Sequence, residues 1–196
     1  SINDPFRGKL FAANKKLSEE DLLKLEQTIP KEESLKFVIV GDLSIGSKYA
    51  KSFLAVTDKL IYGFDDSFDG GVRTHSYDRV KRAYVKRYYG NAMLVFSMDD
   101  SEKEYVDLSK EYVNFIRFSY KVPSLYDAAA NFIKNVAAGK NMDEEMQVIE
   151  VTFERQFSVC PKCGRNLIRP GAPCMNCQSK DKLISKLVAY IMPYKM

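Results

Sequence analysis

Between residues 35 and 120, apolar positions come in short runs of Val, Ile, Phe and Tyr, broken roughly every ten residues by residues that turn the backbone. The runs are Leu35–Val40, Tyr49–Thr57, Lys59–Phe64, Val72–Tyr77, Ala83–Tyr89, Met93–Ser97 and Glu104–Leu108. Gly41 and Asp42, Asp65 and Asp66, Asp69 to Gly71, Gly90 and Asn91, and Asp99 and Asp100 fall between or beside them, where glycine tolerates left-handed backbone and aspartate bonds its own main chain. This pattern predicts an antiparallel meander of seven strands. Lys110–Lys121 fits either a helix or an edge strand.

The period changes outside this region. Ser18 to Asp21 reads as a capping signature ahead of Leu22, Leu23, Leu25 and Ile29, with Pro30 as the stop, so a short helix is predicted there. Ser124–Ala138 aligns Leu125, Ala128, Ala129, Phe132, Ile133 and Val136 on one helical face, with Gly139 just beyond it. Residues 140–148 are polar and acidic, as a linker would be, and Val148–Phe157 alternates as a strand would. Lys182–Met192 sets Leu183, Ile184, Leu187, Val188 and Ile191 on one stripe, with Lys182, Ser185 and Lys186 opposite and Pro193 at the end. It is an amphipathic helix of about three turns, too short to cross a bilayer.

These elements predict an α+β fold: a mostly antiparallel sheet capped by a C-terminal helix, then a small metal ribbon and an amphipathic helix. About seven antiparallel strands closed by one helix resemble the pleckstrin-homology-like domains of bacteria, over roughly residues 35–138. The expected divisions are a helical segment at 1–34, the pleckstrin-homology-like domain at 35–139, a linker and strand at 140–157, a zinc ribbon at 158–179 and the amphipathic helix at 180–196. With 196 residues, 45% of them hydrophobic and 29% charged, the chain is long enough for one core and a small satellite. No apolar run approaches the roughly 18 residues of a membrane span, and no signal-peptide pattern opens the chain.

Candidate chemistry centres on four cysteines. Cys160 and Cys163 form one Cys-x-x-Cys pair, Cys174 and Cys177 another, and ten residues separate the pairs. Each pair can wrap a tight knuckle around a tetrahedral ion, and Zn²⁺ accepts four thiolates at about 2.3 Å in structural sites that organise folds too small for a core. Gly164 permits the turn that brings backbone N–H groups toward sulfur. The spacer is shorter than the usual 15 to 20 residues, yet a two-strand hairpin across residues 166–172 still closes. Two disulfides and an iron–sulfur site are the competing readings. A chain without a secretory signal belongs to a reducing compartment, and the regular spacing is not that of a cluster.

Other candidates fall away. Gly41 to Lys48 has the length of a phosphate-binding loop, but Ser47 precedes Lys48 and a strand, not a helix, follows. His75, the only histidine, has no adjacent nucleophile or carboxylate and reads as a surface or edge residue. Lys81–Tyr89 mixes cations with aromatics as single-strand nucleic-acid platforms do, but in a strand such residues divide between two faces. The acidic pairs sit in turns, so no general acid/base pair is nominated and the chain is not expected to be an enzyme.

Charge separates the two ends. Residues 160–196 carry seven Lys or Arg against Asp181 alone, a net +6, whereas residues 1–159 are −2. A basic end of this kind meets phosphate, of a membrane or of nucleic acid. The succession Cys-Pro-x-Cys-Gly, a second Cys-x-x-Cys and a basic amphipathic stretch ending in Ile191-Met-Pro-Tyr-Lys195 resembles certain bacterial ABC exporters. Those carry a cytosolic pleckstrin-like domain and zinc ribbon before their first transmembrane helix, and a leucine-rich elbow helix at the cytosolic membrane face. The resemblance implies a regulatory or docking module on the cytoplasmic side of a bacterial cell membrane, its partners being the rest of a transporter and the anionic membrane surface. The start at Ser1 and the end just after the amphipathic stretch read as a piece of a longer protein. The alternative is a zinc-ribbon protein that binds nucleic acid or acts in transcription. Residues 166–172 offer only Arg169 and no aromatic residue, which ranks the membrane reading first.

Overall fold

A computed structural model describes residues 11–12, 19–41, 52–99, 112–119, 123–158, 160, 163, 165–168 and 172–177. The chain divides into two compact units, Ser1–Phe153 and Glu154–Met196. In order, the elements are β1 (Phe11–Ala12), α1 (Glu19–Thr28), β2 (Leu35–Gly41), β3 (Ser52–Thr57), β4 (Leu60–Asp65), β5 (Val72–Ser76), β6 (Arg82–Tyr88), β7 (Asn91–Ser97), β8 (Tyr112–Ser119), α2 (Pro123–Ala137) and α3 (Met142–Phe157).

The strands form two sheets. One follows the order β1 to β5, antiparallel except for the two-residue parallel pairing of β1 with β2, and the other is the antiparallel set β6, β7, β8. Four plus three antiparallel strands closed by a helix are the α+β, pleckstrin-homology-like arrangement that the meander predicts. The open segment 110–121 is a strand, Tyr112–Ser119, and supplies the last member of the second sheet. The expected strand Glu104–Leu108, the capping Ser18 and the amphipathic stretch Lys182–Met192 lie outside the described residues, as does the Asp42–Lys51 portion of the loop and strand expected there.

Side-chain alternation explains how both faces of the first sheet are covered. Val38, Phe53, Ala55, Tyr62 and Phe64 point to one face and pack with Leu25 of α1 and with Ile29 just after it. The other face carries Phe37, whose ring meets Phe132 of α2 edge-on at 5.2 Å and Phe153 of α3 at 5.8 Å. Between two covered faces β3 buries all six of its residues, so it reads as a continuous apolar run rather than an alternating one. The second sheet stacks Phe118 on Tyr126 of α2 at 3.6 Å. Ser52 donates its hydroxyl to the Arg117 carbonyl, and the Arg73 guanidinium donates to that of Asn114, which ties the two sheets together.

One expectation is overturned. Residues 142–157, read as linker and strand, form the helix α3. Asn141 caps it, its side-chain oxygen accepting the Asp143 N–H at 2.9 Å and the Glu144 N–H at 3.3 Å. Asp143, Glu144 and Glu145 then sit in the first turn, where the helix dipole favours negative charge. The buried positions are Met146, Ile149 and Phe153, a helical period, whereas Val151, which a two-residue alternation would set on one face with Ile149 and Phe153, is 48% exposed.

His75 lies on β5, the edge strand of the first sheet, in keeping with its reading as a surface or edge residue. Its ring is half-buried, stacked on Phe96 at 4.8 Å and edge-on to Phe115 at 6.2 Å, so it fills the space between the sheets. Its Nε2 lies 3.1 Å from the Arg79 carbonyl, and burial pushes its pKa below the ordinary value, which keeps the ring neutral.

Candidate metal centre

In the second unit, main-chain hydrogen bonds order the chain around the first cysteine pair. The Cys160 N–H donates to the Arg165 carbonyl at 2.8 Å, and the Leu167 N–H donates to that of Ser158 at 2.7 Å. These two bonds bring Cys160 beside Arg165 and Ser158 beside Leu167. Asn166 sits in a β-bridge, and residues 175–177, which carry the last cysteine, are helical. Gly164 and residues 169–171 of the expected hairpin lie outside the described residues.

All four predicted ligands come together. The sulfurs of Cys160, Cys163, Cys174 and Cys177 lie within 4.8 Å of one another. Cys160 and Cys177 are 3.8 Å apart, and Cys163 and Cys174 are 3.6 Å apart. A disulfide requires about 2.05 Å, so the four are free thiols and the two-disulfide reading does not describe them. A tetrahedron with ion–sulfur bonds of about 2.3 Å has edges of about 3.8 Å. The sulfur separations therefore match a four-thiolate site around one metal ion, the geometry of zinc or of iron bound by thiolate.

The thiols differ in acidity. The Arg165 backbone N–H aimed at Cys163 lowers that thiol to about 6, with help from the Asn176 side chain and the neighbouring sulfurs. Desolvation pushes Cys177 up to about 12, and the other three sulfurs add to the effect. In the metal-free state Cys163 thus takes a negative charge ahead of Cys177, and four thiolates at these distances would repel one another. A divalent cation removes that conflict, because each ligand binds it as thiolate and the protons leave. Sequence reasoning found the ligands but not the Arg165 amide or Asn176. Any non-proline residue at 165 supplies the same N–H, so no side-chain signal marks it.

Exposure is graded within the cluster. Cys160 is buried, Cys174 and Cys177 are intermediate and Cys163 is exposed. The arrangement offers four protein ligands that could hold one metal ion. No protein family, curated protein or solved structure matches the chain.

Proposed function

We propose that the chain is a non-catalytic cytosolic regulatory or docking module of a bacterial ABC-type exporter, stabilised by one structural Zn²⁺ on Cys160, Cys163, Cys174 and Cys177. The observation that carries the metal assignment is the match between the sulfur separations, 3.6 and 3.8 Å, and the edge of a zinc–thiolate tetrahedron. Zinc fits better than iron because regular knuckles in a small unit need an ion with no redox chemistry to hold the fold. The non-catalytic reading is supported by His75, whose ring is committed to packing and to the Arg79 carbonyl. The exporter reading rests on the resemblance of residues 160–196 and on the +6 charge of that segment.

Two measurements test the proposal. Reduced, metal-replete protein should contain about one zinc per chain; a value near zero, or iron in its place, defeats the metal assignment. The parent chain should sediment with phosphatidylglycerol vesicles more strongly than the variant L183E/L187E, whose amphipathic stripe is broken, and added salt should shrink the difference. Equal sedimentation of the two, or a far higher affinity for single-stranded RNA than for vesicles, replaces the exporter reading with the nucleic-acid one.

A further inference from the structure

The β6–β7 hairpin stands apart from the rest of its unit in charge. Residues 81–97 contain Lys81, Arg82, Lys86 and Arg87 and no acidic residue, although residues 1–159 as a whole are −2. Alternate residues of a strand share a face, so Arg82, Tyr84, Lys86 and Tyr88 line one side of β6. The cations divide between two faces, as the sequence suggests: within β6, Arg87 turns to the other side, where it pairs with Asp127 of α2 at 2.9 Å. Along the stripe each cation lies over a ring: Arg82 at 5.0 Å from the Tyr84 centroid and Lys86 at 5.4 Å from that of Tyr88.

The stripe leads to the turn. Tyr88 is 39% exposed, and Tyr89, beside Gly90 at φ 80°, is fully exposed. A tyrosine held clear of the fold at a hairpin tip, next to lysine and with no acid in the hairpin, has the chemistry of an interfacial anchor: the ring sits at headgroup depth while cations meet lipid phosphate. Nucleic acid would use the same charges differently. It needs rings on which successive bases stack, but Tyr84 and Tyr88 are about 13 Å apart along the strand. Across the face, Val95 and Met93, the register partners of Tyr84 and Lys86, are buried. A flat stacking platform is therefore not on offer, whereas a projecting tip is.

We propose that the β6–β7 tip, through Tyr88, Tyr89 and Lys86, is a second contact with an anionic lipid surface, separate from residues 180–196. The inference shares with the proposed function only the membrane as partner, and its test keeps the two apart. The chain has no tryptophan, so Tyr89→Trp gives a single reporter at the tip with no core contact to lose. On saturation with phosphatidylglycerol vesicles, Y89W emission should shift to the blue and be quenched by brominated lipid, while phosphatidylcholine vesicles leave it unchanged. Y88S/Y89S and K86Q should each weaken vesicle binding, K86Q by about fivefold, the factor one cation contributes at an anionic surface.

Unchanged Y89W emission on vesicles that the protein saturates overturns the inference. If L183E/L187E then abolishes binding, the proposed elbow survives that failure. Conversely, a blue shift that persists in Y89W/L183E/L187E supports the tip independently of the elbow. An emission change with single-stranded RNA but not with vesicles also overturns it and makes the hairpin a nucleic-acid contact.

Discussion

Cys163 and Gly63 illustrate how much a single position owes to what lies beside it. The folded, metal-free Cys163 thiol sits near 6 against an ordinary 9.0, chiefly because of the Arg165 N–H. A depressed value means that the thiolate's contribution to the fold is full above the ordinary value and fades as pH falls through about 6. Cys177, raised to about 12, behaves in the opposite sense, its thiol form being favoured until pH rises through that value. Iodoacetamide at neutral pH should therefore modify Cys163 of the reduced apoprotein faster than Cys177; equal rates would contradict the assignment. At Gly63, an added Cβ would lie 3.2 and 3.3 Å from ring atoms of Phe115 and 3.4 Å from Phe68. Gly63→Ala should cost about 1–3 kcal/mol, the range for overpacking a core, read from denaturant melts. Nothing in the sequence singles out Gly63 among ten glycines, because the crowding comes from a strand more than fifty residues away.

At the scale of elements, the strands were legible and α3 was not, for a physical reason. Strands with both faces covered give apolar runs that are hard to mistake, and the turns between them carry Gly and Asp. In α3, Ile149, Val151 and Phe153 imitate a two-residue period, while the signals that fix the helix are the Asn141 cap and the acidic first turn. Asn141→Ala should lower stability by about 1 kcal/mol, the usual worth of such a cap. Val151→Glu should change it by no more than about 0.5 kcal/mol, while Ile149→Glu, at a buried position, should unfold the helix. Circular dichroism melts of the three variants distinguish this from a strand, in which Val151 and Ile149 would share a face. The segment Lys110–Lys121 was ambiguous because strand β8 is bulged between its pairings with Leu94 and Val95, which breaks the alternation.

For the whole molecule, two compact units point to two sources of stability: aromatic packing in the first and, under the proposed zinc assignment, metal ligation in the second. Cys163→Ser should release the metal and loosen residues 158–178, leaving the melting transition of the first unit unchanged. A single lowered transition for the entire chain would show that the thiolates also support the sheets. The four ligands could be read from spacing because metal sites are local in sequence. How the sheets face each other could not, since it depends on pairs such as Ser52 with Arg117, sixty-five residues apart. Strand order carries a kinetic consequence. Among the described residues every antiparallel ladder joins strands adjacent along the chain, so β2 to β5 and β6 to β8 can each form hairpin by hairpin at little loop-closure cost. The docking of β8 against β4, through Phe115 and Gly63, must wait for both sheets. Substitutions there should accelerate unfolding more than they slow refolding, whereas those in the β6–β7 ladder should act chiefly on the refolding rate.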